Sequence, residues 1–165
     1  MYICIINNKQ QIKMEQNLLT TEQTRNLLFQ GKFIFTIQSK KTSKRFTYKI
    51  IQPKDNKKQT KVFFVSVQTG PSNLKFGYFG HIWLDENTGK SEFNFAKVEK
   101  AKVKRDAEQV KFFTYFLHEL MAERLEGRVD IYHSGHCARC GKRLTTPESV
   151  KLGIGPECIK MQKRF

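Results

Sequence analysis

Alternating apolar and polar residues mark a set of short strands in the middle of the chain. In the first of them, Phe33, Phe35 and Ile37 would share one face of a strand. Five strands are expected in all, at residues 33–38, 45–51, 61–68, 76–84 and 91–97. Short polar connections favour an antiparallel meander that begins with a hairpin. Gly77 and Gly80 interrupt the fourth strand, which predicts a bulge or bend there.

The long helix that follows the strands has the clearest helical periodicity in the chain. It is expected at residues 107–126, with Asp106 as its cap, Gln109 as the capping partner and Gly127 as its end. Its apolar face carries Val110, Phe113, Leu117, Leu120 and Met121. That face is expected to pack against the sheet. A further strand, at residues 129–132, leads into the last part of the chain.

The chain before the first strand is less patterned. Residues 1–13 are expected to form a disordered extension or an edge strand, and Met14 is an alternative start. A helix is predicted at residues 20–30, because Thr20 and Gln23 have the spacing of a capping box.

Three cysteines and two histidines near the C-terminus have the spacing of zinc ligands. Cys137 and Cys140 form a C-x-x-C turn, and Cys158 follows eighteen residues after Cys140. Zinc prefers four thiolate or imidazole ligands in a tetrahedron. His133 is favoured as the fourth ligand over His136, whose position next to Cys137 would turn its side chain away. Four protein ligands would make the site structural. A redox pair is the alternative, but it would leave Cys158 unused.

The residues between the cysteines predict two short helices. Thr146 and Pro147 are typical of a helix start, and Gly153 of its end. Residues 155–156 would open a second helix with Cys158 in its first turn, where the helix dipole favours a thiolate. A zinc turn followed by a ligand at a helix N-terminus resembles a treble clef, by analogy of fold.

This stretch also resembles a zinc-binding domain family of unknown function found in bacteriophage and prophage proteins. The resemblance covers about residues 133–160, and residues 43–50, 65–67 and 70–71 resemble such proteins more weakly. The matching positions are Cys137, Cys140, Gly141, Lys142, Leu144, Thr145, Pro147, Ser149, Val150, Gly153, Ile154, Gly155, Pro156 and Cys158. The resemblance implies a zinc-binding module and a phage-type source, and it implies no activity.

Together these patterns predict an α+β fold with a C-terminal appendage. An antiparallel sheet of about five strands, packed by one long helix, would occupy residues 14–132. A treble-clef-like zinc module would occupy residues 133–165.

Charge changes the picture of what the protein does. The 165 residues contain 30 Lys or Arg and 15 Asp or Glu, a net charge of +15. Residues 32–61 contain ten bases and one acid, residues 139–164 seven bases and two acids, and residues 106–126 two bases and five acids. The hairpin and zinc regions are therefore basic, which favours a polyanionic partner, most often nucleic acid. No apolar run reaches the length of a membrane span. Reduced zinc thiolates fit a cytoplasm, that of a bacterial host if the source is a phage.

Nucleic-acid binding is the preferred hypothesis, with single-stranded DNA or RNA favoured over duplex because no basic helix suits a major groove. The expected phosphate contacts are Lys40, Lys41, Lys44, Arg45, Lys54, Lys57, Lys58, Arg139, Lys142 and Arg143. The aromatic residues that could stack on bases are Phe46, Tyr48, Tyr78 and Phe79, although more than half of them are expected in the core.

Two alternatives stay open. One is a phage accessory protein that binds and inhibits a host protein or defence system. The other is a metal-dependent nuclease that uses His133 or His136. It would need an open metal position and a general base. An enzyme is the less favoured class, because His81 and His118 are isolated in the sequence.

Overall fold

A computed structural model describes residues 15–54, 60–71 and 75–162. The expectations for residues 1–13, Met14, Lys57 and Lys58 lie outside this part of the chain. The described strands are β1 (Leu18–Leu19), β2 (Lys32–Ser39), β3 (Arg45–Ile51), β4 (Thr60–Gln68), β5 (Phe76–Asp85), β6 (Ser91–Phe95) and β7 (Val129–His133). The described helices are α1 (Thr21–Leu28), α2 (Glu108–Met121), α3 (Pro147–Leu152) and α4 (Pro156–Ile159).

The α+β class is confirmed, but the sheet is larger than predicted. Seven described strands form one antiparallel sheet in the order β1-β7-β2-β3-β4-β5-β6, where five were expected. Strands β2 to β6 are the expected meander. The two additional members are β1 and β7, and β7 lies between β1 and β2. Among the described residues, no helix combines the length and the apolar composition that a bilayer crossing requires.

The pairing of β7 with β2 joins distant parts of the chain. Phe35 lies opposite His133, and Ser39 lies opposite Val129. A strand at residues 129–132 was expected, but alternation shows only that a segment is extended and not which edge it joins. The zinc module was expected to begin at residue 133. Strand β7, however, includes both residue 132 and residue 133. The division of the chain at that point stays a prediction.

The inner face of the sheet, which faces helix α2, is the hydrophobic core. Phe113 of α2 lies at its centre, with its ring centroid 5.0 Å from that of Tyr48 and 5.5 Å from that of Phe79. The Tyr48 hydroxyl donates to the Gln109 carbonyl at 2.7 Å, so the buried phenol keeps a hydrogen bond. The fully buried side chains of this face include Phe33, Phe35, Ile37, Tyr48, Ile50, Phe63, Val65, Phe79 and Ile82.

A bulge in the β4–β5 pair decides which aromatic residues enter the core. The register shifts between Val65 and Ser66, where Val65 lies opposite Gly80 and Ser66 opposite Tyr78. The additional residue on β5, Phe79, is buried. Such a shift exchanges the two faces of a strand, because side chains alternate with a period of two. Position 80 needs glycine, because a Cβ would lie 2.6 Å from the Phe93 ring. The predicted bulge or bend is confirmed.

The long helix is shorter than predicted at both ends. It begins at Glu108, and its N-cap is Ala107, which has no side chain that can cap, in place of Asp106. It ends at Met121, because Glu123 adopts a left-handed conformation with φ of 58°. The N–H of the next residue, Arg124, then donates to the Glu119 carbonyl at 2.9 Å, which is the pattern of a Schellman motif. Gly127, the predicted end, lies beyond this motif.

Candidate metal centre and basic surface

The metal turn, residues 137–143, is closed by its own backbone. The Cys137 N–H donates to the Lys142 carbonyl at 2.8 Å, and the Gly141 N–H donates to the Cys137 carbonyl at 2.9 Å. Gly141 has a φ of 75°, which explains a glycine immediately after the second cysteine. Cys137 and Cys140 are therefore held on one side of a tight turn.

Helices α3 and α4 bring the third cysteine back to this turn. The predicted caps of α3 are confirmed: the Thr146 side chain accepts from the Ser149 N–H, and Gly153 ends the helix with a φ of 70°. The Gly153 carbonyl accepts from the Ala138 N–H at 3.0 Å, which joins the end of α3 to the metal turn. Helix α4 then begins, with Cys158 in its first turn. This arrangement is compatible with a treble clef but does not establish one.

The three sulfurs of Cys137, Cys140 and Cys158 all lie within 4.8 Å of one another. Thiolates bound to zinc at about 2.3 Å in a tetrahedron are about 3.8 Å apart, so the cluster fits one metal ion. Cys137 is buried, Cys140 is exposed and Cys158 is half-buried. Within the described ranges, no histidine nitrogen or carboxylate joins the cluster at that distance. The structure thus presents three sulfurs that could hold a metal ion.

The surroundings of Cys137 and Cys158 shift the pKa values of their thiols in opposite directions. Burial disfavours the Cys137 thiolate, but backbone N–H groups directed at its sulfur lower its pKa below that of an ordinary thiol; they belong to Cys140, Gly155 and Arg139. Burial and then hydrogen bonding with the other two thiols raise the pKa of Cys158 to about 12. The expected effect of the α4 dipole on Cys158 is thus outweighed. A cation among the sulfurs would favour the thiolate form of all three.

The structure does not place His133, the expected fourth ligand, with the sulfurs. Its side chain is buried, with 2% exposure, on the inner side of β7. Its Nε2 donates to the Val150 carbonyl at 2.5 Å, and its Nδ1 accepts from the Gly135 N–H at 2.9 Å. With one ring nitrogen donating and the other accepting, the imidazole is in its neutral form, and burial lowers its pKa. The alternative, His136, is exposed, and its Nδ1 lies 3.3 Å from the Ser134 hydroxyl.

The metal turn is attached to the start of β2, where several cations meet. The Lys32 N–H donates to the Ala138 carbonyl at 2.8 Å, and a Cβ at Gly141 would lie 2.8 Å from the Lys32 side chain. At the end of β3, the Gln52 N–H donates to the Gly31 carbonyl at 2.8 Å. We call the cations of this region the basic end: Lys32, Lys54, Lys142 and Arg143, which are exposed, and Arg139, which is half-buried.

The basic hairpin lies at the opposite end of β2. The eight residues of this strand rise about 3.3 Å each, so the hairpin is about 23 Å from the basic end. Lys40 pairs with Asp130 at 3.5 Å, and Lys44 pairs with Glu108. Lys41 and Arg45 are exposed. The two predicted groups of phosphate contacts are therefore separate, and acidic side chains partly neutralise the hairpin.

None of the four aromatic residues selected from the sequence is exposed, and Phe46 packs against the core with its ring centroid 5.5 Å from that of Phe112. Tyr48 and Phe79 are buried in the core, while Tyr78 is half-buried on the opposite face of the sheet. Phe64 and Trp83, which were not selected, are the most exposed aromatic residues of the described sheet, at 43% and 50%. The sequence does contain a signal for this exposure, because in β4 and β5 these residues alternate with apolar neighbours. The bulge hides that signal, since it changes which residues of β5 face the core.

The comparisons with known proteins reach only the C-terminal part of the chain. A protein-family model described as "Family of unknown function (DUF6011)" matches residues 128–160. These residues span β7, the metal turn and both short helices. No curated protein and no solved structure matches the chain.

Proposed function

We propose that this is a zinc-stabilised, basic protein that binds nucleic acid, with single-stranded DNA or RNA favoured over duplex. The observation that carries the proposal is the basic end. Within the part of the chain that the structure describes, no carboxylate lies within ion-pair distance of its five cations. Like charges held together on one surface repel each other, so a polyanion that releases this repulsion is the fitting partner.

Zinc is the proposed metal because the ligands are thiolates on a tight turn and a helix start. Soft ligands select zinc over magnesium and calcium. The three sulfurs leave the fourth ligand to be identified, and we propose a structural ion because Cys137 belongs to the hydrophobic core and backbone hydrogen bonds join the metal turn to β2 and to the end of α3. Its role is to fix the metal turn against β2, so that Arg139, Lys142 and Arg143 remain beside Lys32. The resemblance to phage and prophage proteins supports a phage-type source, which we propose with this function.

The test compares two variants that each remove four positive charges. One replaces Lys32, Lys54, Lys142 and Arg143 with Gln, and the other replaces Lys40, Lys41, Lys44 and Arg45 with Gln. Binding to labelled single-stranded and duplex DNA and RNA of equal length is measured by fluorescence anisotropy across a salt series. The basic-end variant is expected to weaken binding more. Its slope of log affinity against log salt should flatten by up to about 0.7 for each lost single-strand contact.

The hairpin variant is the matched control for net charge. Sequence preference is expected to stay the same in both variants, since phosphate contacts position a protein without reading bases. Equal losses in the two variants would show that total charge, and not the basic end, determines binding. A zinc-loaded parent protein that binds no nucleic acid at low salt would overturn the proposal and favour a host-protein partner.

A further inference from the structure

The outer face of the sheet, on the side away from α2, carries a second aromatic surface. Its side chains include Lys49, Phe64, Ser66, Tyr78, His81 and Trp83. Thr36 and Thr47 share this face, and their hydroxyl groups are hydrogen-bonded at 2.8 Å. Cross-strand pairing places Ser66 opposite both Lys49 and Tyr78, and Phe64 opposite His81. The aromatic residues therefore lie on neighbouring strands, about 5 Å apart in the pairing direction.

These aromatic rings are organised without being buried. Phe64 and Tyr78 meet edge to face, with ring centroids 5.7 Å apart and an angle of 85° between their planes. The His81 and Trp83 rings are 6.0 Å apart. Helices α1 and α2 both pack against the inner face, through Phe29 on Phe63 and through Phe113 on Tyr48. Phe64 and Trp83 are therefore not needed to complete the core.

Cations line one side of these rings. Lys49 lies over the ring of Phe76, with its Nζ 4.4 Å from the centroid. Lys49 and Lys100 also line a groove of about 500 Å³ whose floor includes Phe64 and Tyr78. Burial and the charge of Lys32 lower the pKa of Lys49. Lys32 lies opposite Ile51 and Lys49 lies opposite Ile34, so the two cations are diagonal neighbours on this face, and Lys32 also belongs to the basic end.

We propose that the outer face of β3, β4 and β5 is a platform on which a single strand stacks its unpaired bases. Phe64, Tyr78 and Trp83 provide the ring surfaces, and Lys49 and Lys100 take the phosphates. This deepens the proposed function and rests on it. Aromatic side chains on an open sheet hold unpaired bases in other binding modules, and every base has a face that can stack. A duplex buries those faces, so it can use only the phosphate contacts.

An acidic residue next to Trp83 determines the path of the bound single-stranded nucleic acid across the sheet. Glu92 on β6 lies opposite Trp83 in register and is exposed. Its charge repels phosphate on that side of Trp83. The backbone of the bound strand is therefore expected along the Lys49 side, towards the basic end, with the bases directed at the aromatic rings.

Trp83 makes the test direct, because the chain has one Trp. The zinc-loaded protein is titrated with an unlabelled 12-nucleotide oligothymidine, and with a 12-base-pair duplex, while tryptophan fluorescence is recorded. Fluorescence anisotropy of the same oligonucleotides, labelled, measures binding independently. Stacking of the single strand on Trp83 is expected to quench the tryptophan fluorescence progressively, until the binding site is saturated. The duplex is expected to bind more weakly, by phosphate contacts, with little quenching.

Single substitutions then locate the platform. Phe64→Ala and Tyr78→Ala are each expected to weaken single-strand binding by about 5- to 150-fold, the range of base–aromatic stacking, and to leave duplex binding nearly unchanged. Tyr115→Ala is the matched control, because Tyr115 is a 44% exposed aromatic residue on α2. Its single-strand affinity is expected to equal that of the parent. Circular dichroism melting checks that each variant is folded.

The outcomes separate the platform from the proposed function. Single-strand binding without quenching, unaffected by Phe64→Ala, would overturn the platform and leave nucleic-acid binding by the basic end in place. No binding of either oligonucleotide at low salt would overturn both. If a variant fails to fold, the quenching of the parent protein still decides the question, since it needs no substitution.

Discussion

The two faces of the sheet are both rich in aromatic residues, yet they differ in what those residues contact. Phe63 and Phe64 are neighbours on β4, and their side chains are 1% and 43% exposed. The inner one contacts the ring of Phe29 at 5.1 Å. The outer one contacts Tyr78 and solvent. Aromatic content alone therefore does not distinguish the core from an exposed surface. What distinguishes them is the face of the sheet on which each aromatic residue lies.

The largest effect is expected from truncating this adjacent pair. Phe63→Ala should lower the free energy of unfolding by about 3–5 kcal/mol, because it leaves a cavity in a packed core. Phe64→Ala should lower it by about 1 kcal/mol or less, because much of the ring is already in water. Urea denaturation of both variants measures the difference. Equal losses would mean that the outer rings are structural, which would weaken the proposed platform.

A smaller effect is expected at His133, the polar residue on the inner side of β7. His133→Ala removes the partner of the Val150 carbonyl and of the Gly135 N–H. Both groups are only partly buried, so water can replace part of each bond, and the combined cost is expected at about 1–3 kcal/mol. The metal content should stay at one zinc per chain, because both ring nitrogens are engaged in the protein. Elemental analysis of the reduced protein measures the zinc.

The matched variant for the metal is Cys137→Ser, which should lose the zinc. Loss of zinc from His133→Ala, in a variant that still folds, would restore this histidine as the fourth ligand. Absence of zinc from the parent protein would remove the proposed metal.

The smallest effect is expected when the pH is lowered, and it arises from Glu119 on helix α2. Hydrogen bonds from Arg124 and His118 lower the pKa of Glu119 to about 2, against the opposing effect of burial. An unfolded Glu has a pKa near about 4.3, so this stabilisation is complete above about pH 5 and is lost as pH falls towards 2. Glu119→Gln should flatten the fall in melting temperature between about pH 5 and 3.

The outer face provides the control for the acid experiment. Glu92→Gln should melt with the same pH dependence as the parent protein. Loss of metal at low pH affects the parent and both variants alike, so the difference between them reports Glu119. A parent-like pH dependence in Glu119→Gln would mean that its ion pairs are too well solvated to matter.

Local signals predicted much of this fold correctly. The capping box of Thr20 and Gln23, the caps of α3 and strands β2 to β6 are set by residues a few positions apart. The cysteine cluster was also predictable, because a C-x-x-C turn and a cysteine at a helix start limit the possible geometry. In each case the interacting groups are close in sequence, or one chemical requirement defines them.

The features that were missed depend on contacts between distant residues. Alternation could not show that β7 joins β2, nor that the bulge sends Phe79 inward and Tyr78 outward. His133 has ligand-like spacing, but its partners, Val150 and Gly135, emerge only from the packing of α3 against β7. The exposure of Phe64 and Trp83 was missed for the same reason, since exposure is a property of the assembled sheet.

The position of β7 also has a consequence for the order in which the protein is made. Strand β2 exposes one unpaired edge until β7 is synthesised, about 90 residues later, which takes about 5–20 s at ordinary rates of translation. An open strand edge is a template for aggregation, and pairing over so long a loop is slow. The metal turn follows β7 directly in the chain. The proposed zinc would therefore bind after the last described sheet strand is made, and it would anchor the start of β2 as that edge is closed.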